Sequence, residues 1–184
     1  MVSLTNQFLI AMPSLADPNF FRSVTLICQH NADGAMGIVI NRPTDLSMGE
    51  ILQQMDIDAS KARHQNEKVY HGGPVQNERG FILHDGATNW SSSLTVSDEL
   101  SLTTSRDILE ALAQDRGPNR CLVALGYAGW GGGQLEDELS QNAWLNGPAD
   151  YNIIFDTPAE HRWNRAAQHL GVDLDRLSSQ TGHA

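Results

Sequence analysis

The sequence predicts an α+β fold in which a mixed, strongly curved β-sheet is flanked by helices. Two observations carry that prediction. Runs of β-branched and apolar residues at strand length outnumber the helical patterns. The early runs also follow one another hairpin-fashion with no helix between them, which argues against a regular βαβ winding.

The elements follow in order. Gln7 to Met12 reads as a strand stopped by Pro13, and Leu15 to Pro18 as a turn, because Asp before Pro favours turn initiation. Ser23 to Cys28 is a β-branched strand. Asn31 to Gly34 (NADG) is a hairpin signal, with Ala35 to Ile40 as the returning strand. Asn41-Arg42-Pro43 ends that strand, since proline has no amide donor. Ser47, with Glu50 three residues on, forms a capping box for a short helix through Met55. Ile51, Leu52 and Met55 would be its inner face.

Lys68 to His71, Gly80 to His84, Leu94 to Val96 and Glu99 to Thr103 read as strands. Ser105 caps a helix from Arg106 to Gln114. Arg120 to Tyr127 is the most apolar strand and is expected to be central. Gln134 to Gln141 reads as a helix, Tyr151 to Phe155 as a late strand, and Pro158 to about Leu170 as a helix ended by Gly171. No repeat, linker or low-complexity tract divides residues 1–184, so a single domain is expected.

Composition narrows the function classes. Apolar residues make up 40% and charged residues 18% of the 184, a globular and not a disordered balance. The net charge of -10, with only Lys61 and Lys68 as lysines, argues against direct nucleic-acid binding and against anionic membranes. No segment approaches the ~18 apolar residues of a membrane helix, and the first residues lack a signal-peptide pattern, so a cytoplasmic location is expected. Cys28 and Cys121 each sit in an apolar run and read as buried hydrophobes, not as a disulfide.

The segment Gly126-Tyr127-Ala128-Gly129-Trp130-Gly131-Gly132-Gly133-Gln134-Leu135-Glu136-Asp137-Glu138-Leu139 draws attention. It reads as a glycine-rich turn leading from a strand into a helix, a geometry that can cradle phosphates. The P-loop pattern is absent, because no Lys follows the glycines. Glu136, Asp137 and Glu138 would also occupy the helix start and repel an anion. The turn is therefore expected to pack Trp130 beneath the helix or to wall a pocket for a polar or uncharged ligand.

Other candidates are sparser. His30, His71 and His84 end apolar strands or lie beside glycines, and Cys28 and His30 would share one strand face. No CxxC, HxH or HExxH spacing supports a metal, and no GxSxG elbow supports a serine hydrolase. Arg42, held extended by Pro43, could recognise a carboxylate or phosphate, or pair with an acid of the chain. The ligand-binding candidates are Arg42, Gly72, Gly73, His84, Trp130, Gln134 and Glu138. Catalytic residues are not identified, and no metal or cofactor is implied.

The segments FLIAMPSLADPNFFRSV, CQHNADGAMGIVINRP, HGGPV, RGFILH and GYAGWGGGQLEDEL…NAWL, in that order, resemble the AlgH/YqgE family of bacterial proteins. LGVDLDRLSSQTGHA also resembles its C-terminus. One departure is Gly132, where many members carry proline. The resemblance implies a mixed fold whose sheet curls partly into a barrel. Its motifs fall here on Asp17, Phe20, Arg22, His30, Asn41, Arg42, Pro43, Gly72, Gly73, Pro74, His84, Trp130, Gln134, Glu136, Glu138 and Trp144. The family takes its name from a proposed regulatory role in alginate production, and members are often labelled transcriptional regulators. The residues here carry no helix-turn-helix. The expected function is a non-catalytic binding or indirectly regulatory domain, its partner a small molecule or a protein. The alternatives are an enzyme using His and carboxylate groups at the same rim and, ranked last, a DNA-binding regulator.

Overall fold

The computed structural model describes residues 2–86 and 89–181. The strands are β1 (Gln7–Ala11), β2 (Val24–Asn31), β3 (Gly34–Val39), β4 (Pro43–Ser47), β5 (Lys68–His71), β6 (Val75–His84), β7 (Ser93–Ser97), β8 (Leu100–Thr103), β9 (Cys121–Gly131) and β10 (Trp144–Pro148). The helices are α1 (Met48–Gln54), α2 (Arg106–Ala113), α3 (Gln134–Ser140), α4 (Tyr151–Phe155), α5 (Arg162–His169) and α6 (Leu174–Thr181).

The main path of the sheet runs β10-β1-β2-β3-β9-β6-β8-β7. Neighbours are antiparallel, and β5 adds a parallel pairing to β9 while β4 pairs with β5. The sheet is strongly curled into a half-barrel, and the edge strand β7 returns to touch β2. The fold is thus the mixed, curved α+β arrangement that the sequence predicts.

Strand alternation divides the apolar residues between the two faces. Phe8, Ile10, Leu26, Ile38, Phe81, Leu83, Leu122 and Ala124 fill the inner core with residues of α4, α5 and α6. On the outer face, Ile82 and Val123 pack under α1 and α2. Leu9, Ala11, Ile27, Ala128 and Trp130 pack under α3.

Several local predictions hold. Ser47 accepts from the Glu50 N–H while the Glu50 side chain returns to the cap, a complete capping box. The β2–β3 hairpin turns at Asn31–Gly34, and β9 is central, bonded to β3, β5 and β6.

Other expectations are corrected. Tyr151–Phe155 is the helix α4 and not a strand. The Asp150 carboxylate accepts from the Asn152 N–H at 2.9 Å, and the Asp156 N–H donates to the Asn152 carbonyl at 2.9 Å, a helical turn. Strand β10, strand β4 and helix α6 were not expected. Ser105 precedes α2 but bonds the Asp107 carboxylate instead of the helix backbone. A bulge at Cys28 shifts the β2 register, so Cys28 turns into the inner core while His30 faces α3; the two do not share a face.

The largest correction concerns the glycine-rich segment. Gly126 to Gly131 continues β9, and only Gly132–Gly133 turns into α3. Gly126 adopts φ 79° and marks a second irregularity, where the pairing with β6 jumps from Gly80↔Leu125 to Val75↔Tyr127. Residues 76–79 bulge out of the ladder at that point, with Gln76 itself left-handed at φ 48°.

Candidate functional site

The glycines before and within β9 interlock. A Cβ on Gly73 would lie 2.1 Å from the Tyr127 carbonyl carbon, and one on Gly126 would lie 2.4 Å from the Gly73 carbonyl oxygen. Gly72 donates to the Leu125 carbonyl, and its own carbonyl accepts from Val39. Gly72 and Gly73 therefore permit two backbones to cross at contact distance.

Downstream, the outer face of β9 is sealed. Trp130 and Trp144 both donate their indole N–H to Glu138 Oε1, at 3.3 and 3.0 Å. Gln134 donates to Oε2 of the same carboxylate at 3.0 Å and accepts from the Gly131 N–H. Phe20 stacks on Trp130, with centroids 5.9 Å apart, and meets Trp144 edge-on at 5.4 Å. Each such pair adds about 1 kcal/mol beyond burial. Trp130, Gln134 and Glu138 are thus brought together, as an internal network.

Beside them, buried His30 accepts the Leu4 N–H on Nδ1 at 2.9 Å, which puts its proton on Nε2, 2.5 Å from Glu136 Oε1. Glu136 is held below the ordinary carboxylate value, first by its own main-chain N–H at the helix start and then by His30. The acidic helix start is satisfied from within the fold.

Arg42 lies apart from that network. Its guanidinium donates to the carbonyls of Pro18, Asn19 and Phe21, at 3.0, 2.5 and 2.7 Å. Asn41 accepts from the Val24 N–H and donates to the Arg22 carbonyl. Arg42 and Asn41 strap down the loop that delivers Phe20 to the tryptophans. Arg22 lies over Phe21 and Trp163.

His84 is further away, opposite Cys121 at the start of β9. Trp130 lies nine positions further along the strand, ~30 Å at full rise. His84 is fully buried, donates from Nδ1 to the Asp85 carbonyl and accepts on Nε2 from Thr103. Burial holds it below the ordinary histidine value. Cys28 is buried and Cys121 half-buried; both are free thiols, and burial pushes each up to about 12. Among the described residues no cluster of three or more His, Cys, Asp or Glu could hold a metal, and no helix is long and apolar enough to cross a membrane.

A groove that sequence reasoning missed lies on the inner face of the same strand. Its volume is about 650 Å³. Gln29 and Met36 line one side, Gln76 and Arg79 of the bulged segment the other, and Phe81, Tyr127 and Gly129 the floor. Phe81 and Tyr127 meet edge-on at 5.4 Å, and Arg79 lies over Phe81. The only sequence signal was Gly129, whose missing side chain leaves backbone bare between Tyr127 and Val75. Of the seven ligand-binding candidates, Trp130 alone borders this groove.

Comparison with known proteins places the chain. Residues 8–175 match the AlgH-like family model. A UPF0301 protein of Thioalkalivibrio sulfidiphilus is 60% identical over 182 residues, covering 99% of this chain and 97% of that one. A UPF0301 protein of Methylococcus capsulatus is 58% identical over 180 residues, covering 98% and 96%. The solution structure of the AlgH protein of Pseudomonas aeruginosa superposes with a TM-score of 0.81 at 51% identity, covering 100% and 99%. A Corynebacterium diphtheriae protein shares the fold at TM-score 0.75 and 19% identity, covering 97% and 93%. The chain therefore belongs to the AlgH-like family.

Proposed function

We propose that this chain is a non-catalytic binding domain whose ligand seat is the groove beside Tyr127 and Gly129. One observation supports this most: the groove combines a bare glycine backbone, an aromatic pair and the amides of Gln29 and Gln76, and the described residues lining it include Asp33 and Arg79 but no His, Cys or Glu. Its volume falls in the range of small-molecule sites, roughly 300–1,000 Å³. Such a surface suits a small planar molecule that stacks on Tyr127 and hydrogen-bonds to amides. Several histidines and carboxylates outside the groove are engaged in internal hydrogen bonds: His30 with Glu136, His84 with Thr103, Glu138 with two indoles. A regulatory role would then follow from ligand or partner capture, acting at a distance from any gene.

The test is a fragment screen read by amide chemical shifts, followed by analysis of each hit for chemical conversion. The expected result is hits that move Gln29, Met36, Tyr127 and Gly129 and are recovered unchanged. Conversion of a groove-bound hit would establish the enzymatic reading instead. Duplex binding that weakens steeply with salt would establish the DNA-binding one.

A further inference from the structure

A second cleft, of about 360 Å³, lies at the opposite end of β9 between Cys121–Val123 and the segment joining α4 to α5. Arg162 is in its wall, only 5% exposed. The guanidinium donates from Nε to the Thr157 carbonyl at 2.8 Å and from Nη1 to the Ile40 carbonyl. Its carbon lies 4.9 Å from the Tyr70 ring centroid. Among the described residues it has no carboxylate partner, and Nη2 has no hydrogen-bond partner. An arginine cannot shed its charge, and a buried charge without a counter-ion is costly.

A second group in the same wall is also incomplete. His64 pairs through Nδ1 with Glu67 at 2.9 Å, while its Nε2 is buried with no partner. Arg120 borders the cleft and engages Asp156 through Nη2 alone, at 2.6 Å. Both local acids are largely exposed, Glu67 at 58% and Asp156 at 60%, so the buried charge in the cleft wall is that of Arg162, in a chain of net charge -10.

We propose that Arg162 and His64 form a binding site for a small organic anion carrying a phosphate or carboxylate group. Arg162 Nη2 keeps its N–H groups for an oxyanion, and His64 adds a donor from Nε2 as the imidazolium, because Glu67 holds the proton on Nδ1 and a neutral ring would have to take up a second proton with the anion. The cleft, of about 360 Å³, also has Leu122 and Phe155 in its wall to meet an organic remainder.

The test titrates labelled protein with inorganic phosphate and, separately, with acetate, at constant ionic strength. Saturable shifts are expected at Tyr70, Cys121 and Arg162, with Tyr127 and Gly129 unmoved. Tighter saturation by phosphate assigns a phosphorylated ligand; tighter saturation by acetate assigns a carboxylate. Arg162→Met should weaken the better anion at least about tenfold, and His64→Gln a few-fold. Should Arg162→Met fail to fold, His64→Gln and the Arg162 side-chain resonances of the unaltered protein decide. No saturable shift from either anion, or unchanged affinity in His64→Gln with unmoved Arg162 resonances, overturns the proposal.

Discussion

The two ends of β9 differ in how completely their polar groups are satisfied. At the Gly131 end, Glu138 takes three N–H donors and His30 is bonded at both ring nitrogens. At the Cys121 end, among the described residues, Arg162 has no counter-ion and His64 Nε2 no partner. The end with the conspicuous motif is chemically closed on its outer face, whereas the end with no motif keeps donors available. A glycine- and tryptophan-rich signature thus marks where the chain must pack closely, which is a separate matter from where it offers chemistry.

That contrast can be broken by substitution. The largest effect is expected for Gly126→Ala. Its Cβ would approach the Gly73 carbonyl oxygen to 2.4 Å, at φ 79°. A loss of about 4 kcal/mol or more in denaturant unfolding is expected; a near-native midpoint would mean the crossing is not tight. Next come Glu138→Ala, which strands two indole N–H groups, and Arg42→Ala, which releases three loop carbonyls. Glu138→Ala should cost about 2 kcal/mol, and Arg42→Ala about 1 kcal/mol, since its loop carbonyls are exposed to water. Arg42→Ala should also speed amide exchange around Phe20 and leave α2 unaffected.

A smaller effect concerns pH. Burial lowers the folded-state value of His84 below its ordinary 6.5, so the unfolded chain takes up a proton first. The stability contributed by neutral His84 is complete above that value. It is lost as pH falls from there through the depressed folded value. His84→Gln should flatten this decline in a series of melting curves; an unchanged slope would assign it to other groups.

Local features of the fold were legible in the sequence wherever a short-range rule fixes them. The Ser47–Glu50 capping box, the NADG hairpin and the α3 pattern of Leu135 and Leu139 each lie within a few residues. Tyr151–Phe155 was misread because a five-residue apolar run fits strand or helix, and the Asp150 cap decides it. The bulge at Cys28 and the register jump at Gly126 were invisible, since both come from strand pairing across long separations. The site suffered most for that reason. Trp130, Gln134 and Glu138 were found because they are close in sequence, while the groove draws on β2, β3, β6 and β9 together. Arg42 looked like a ligand binder because its carbonyl partners lie about two dozen residues upstream.

The groove can be tested with little disturbance to the fold. A Cβ on Gly129 would sit 3.4 Å from Tyr127 Cε2 and 3.9 Å from Val75 Cγ2, ordinary contacts that point into the groove wall. Gly129→Leu should therefore melt close to the unaltered protein and yet fill the floor. The decisive measurement is the affinity of groove-mapped fragments for Gly129→Leu against the unaltered chain. Loss of binding by a folded variant is the predicted result. Fragments that bind Gly129→Leu as well as the unaltered protein would contradict the assignment of this groove as the ligand seat.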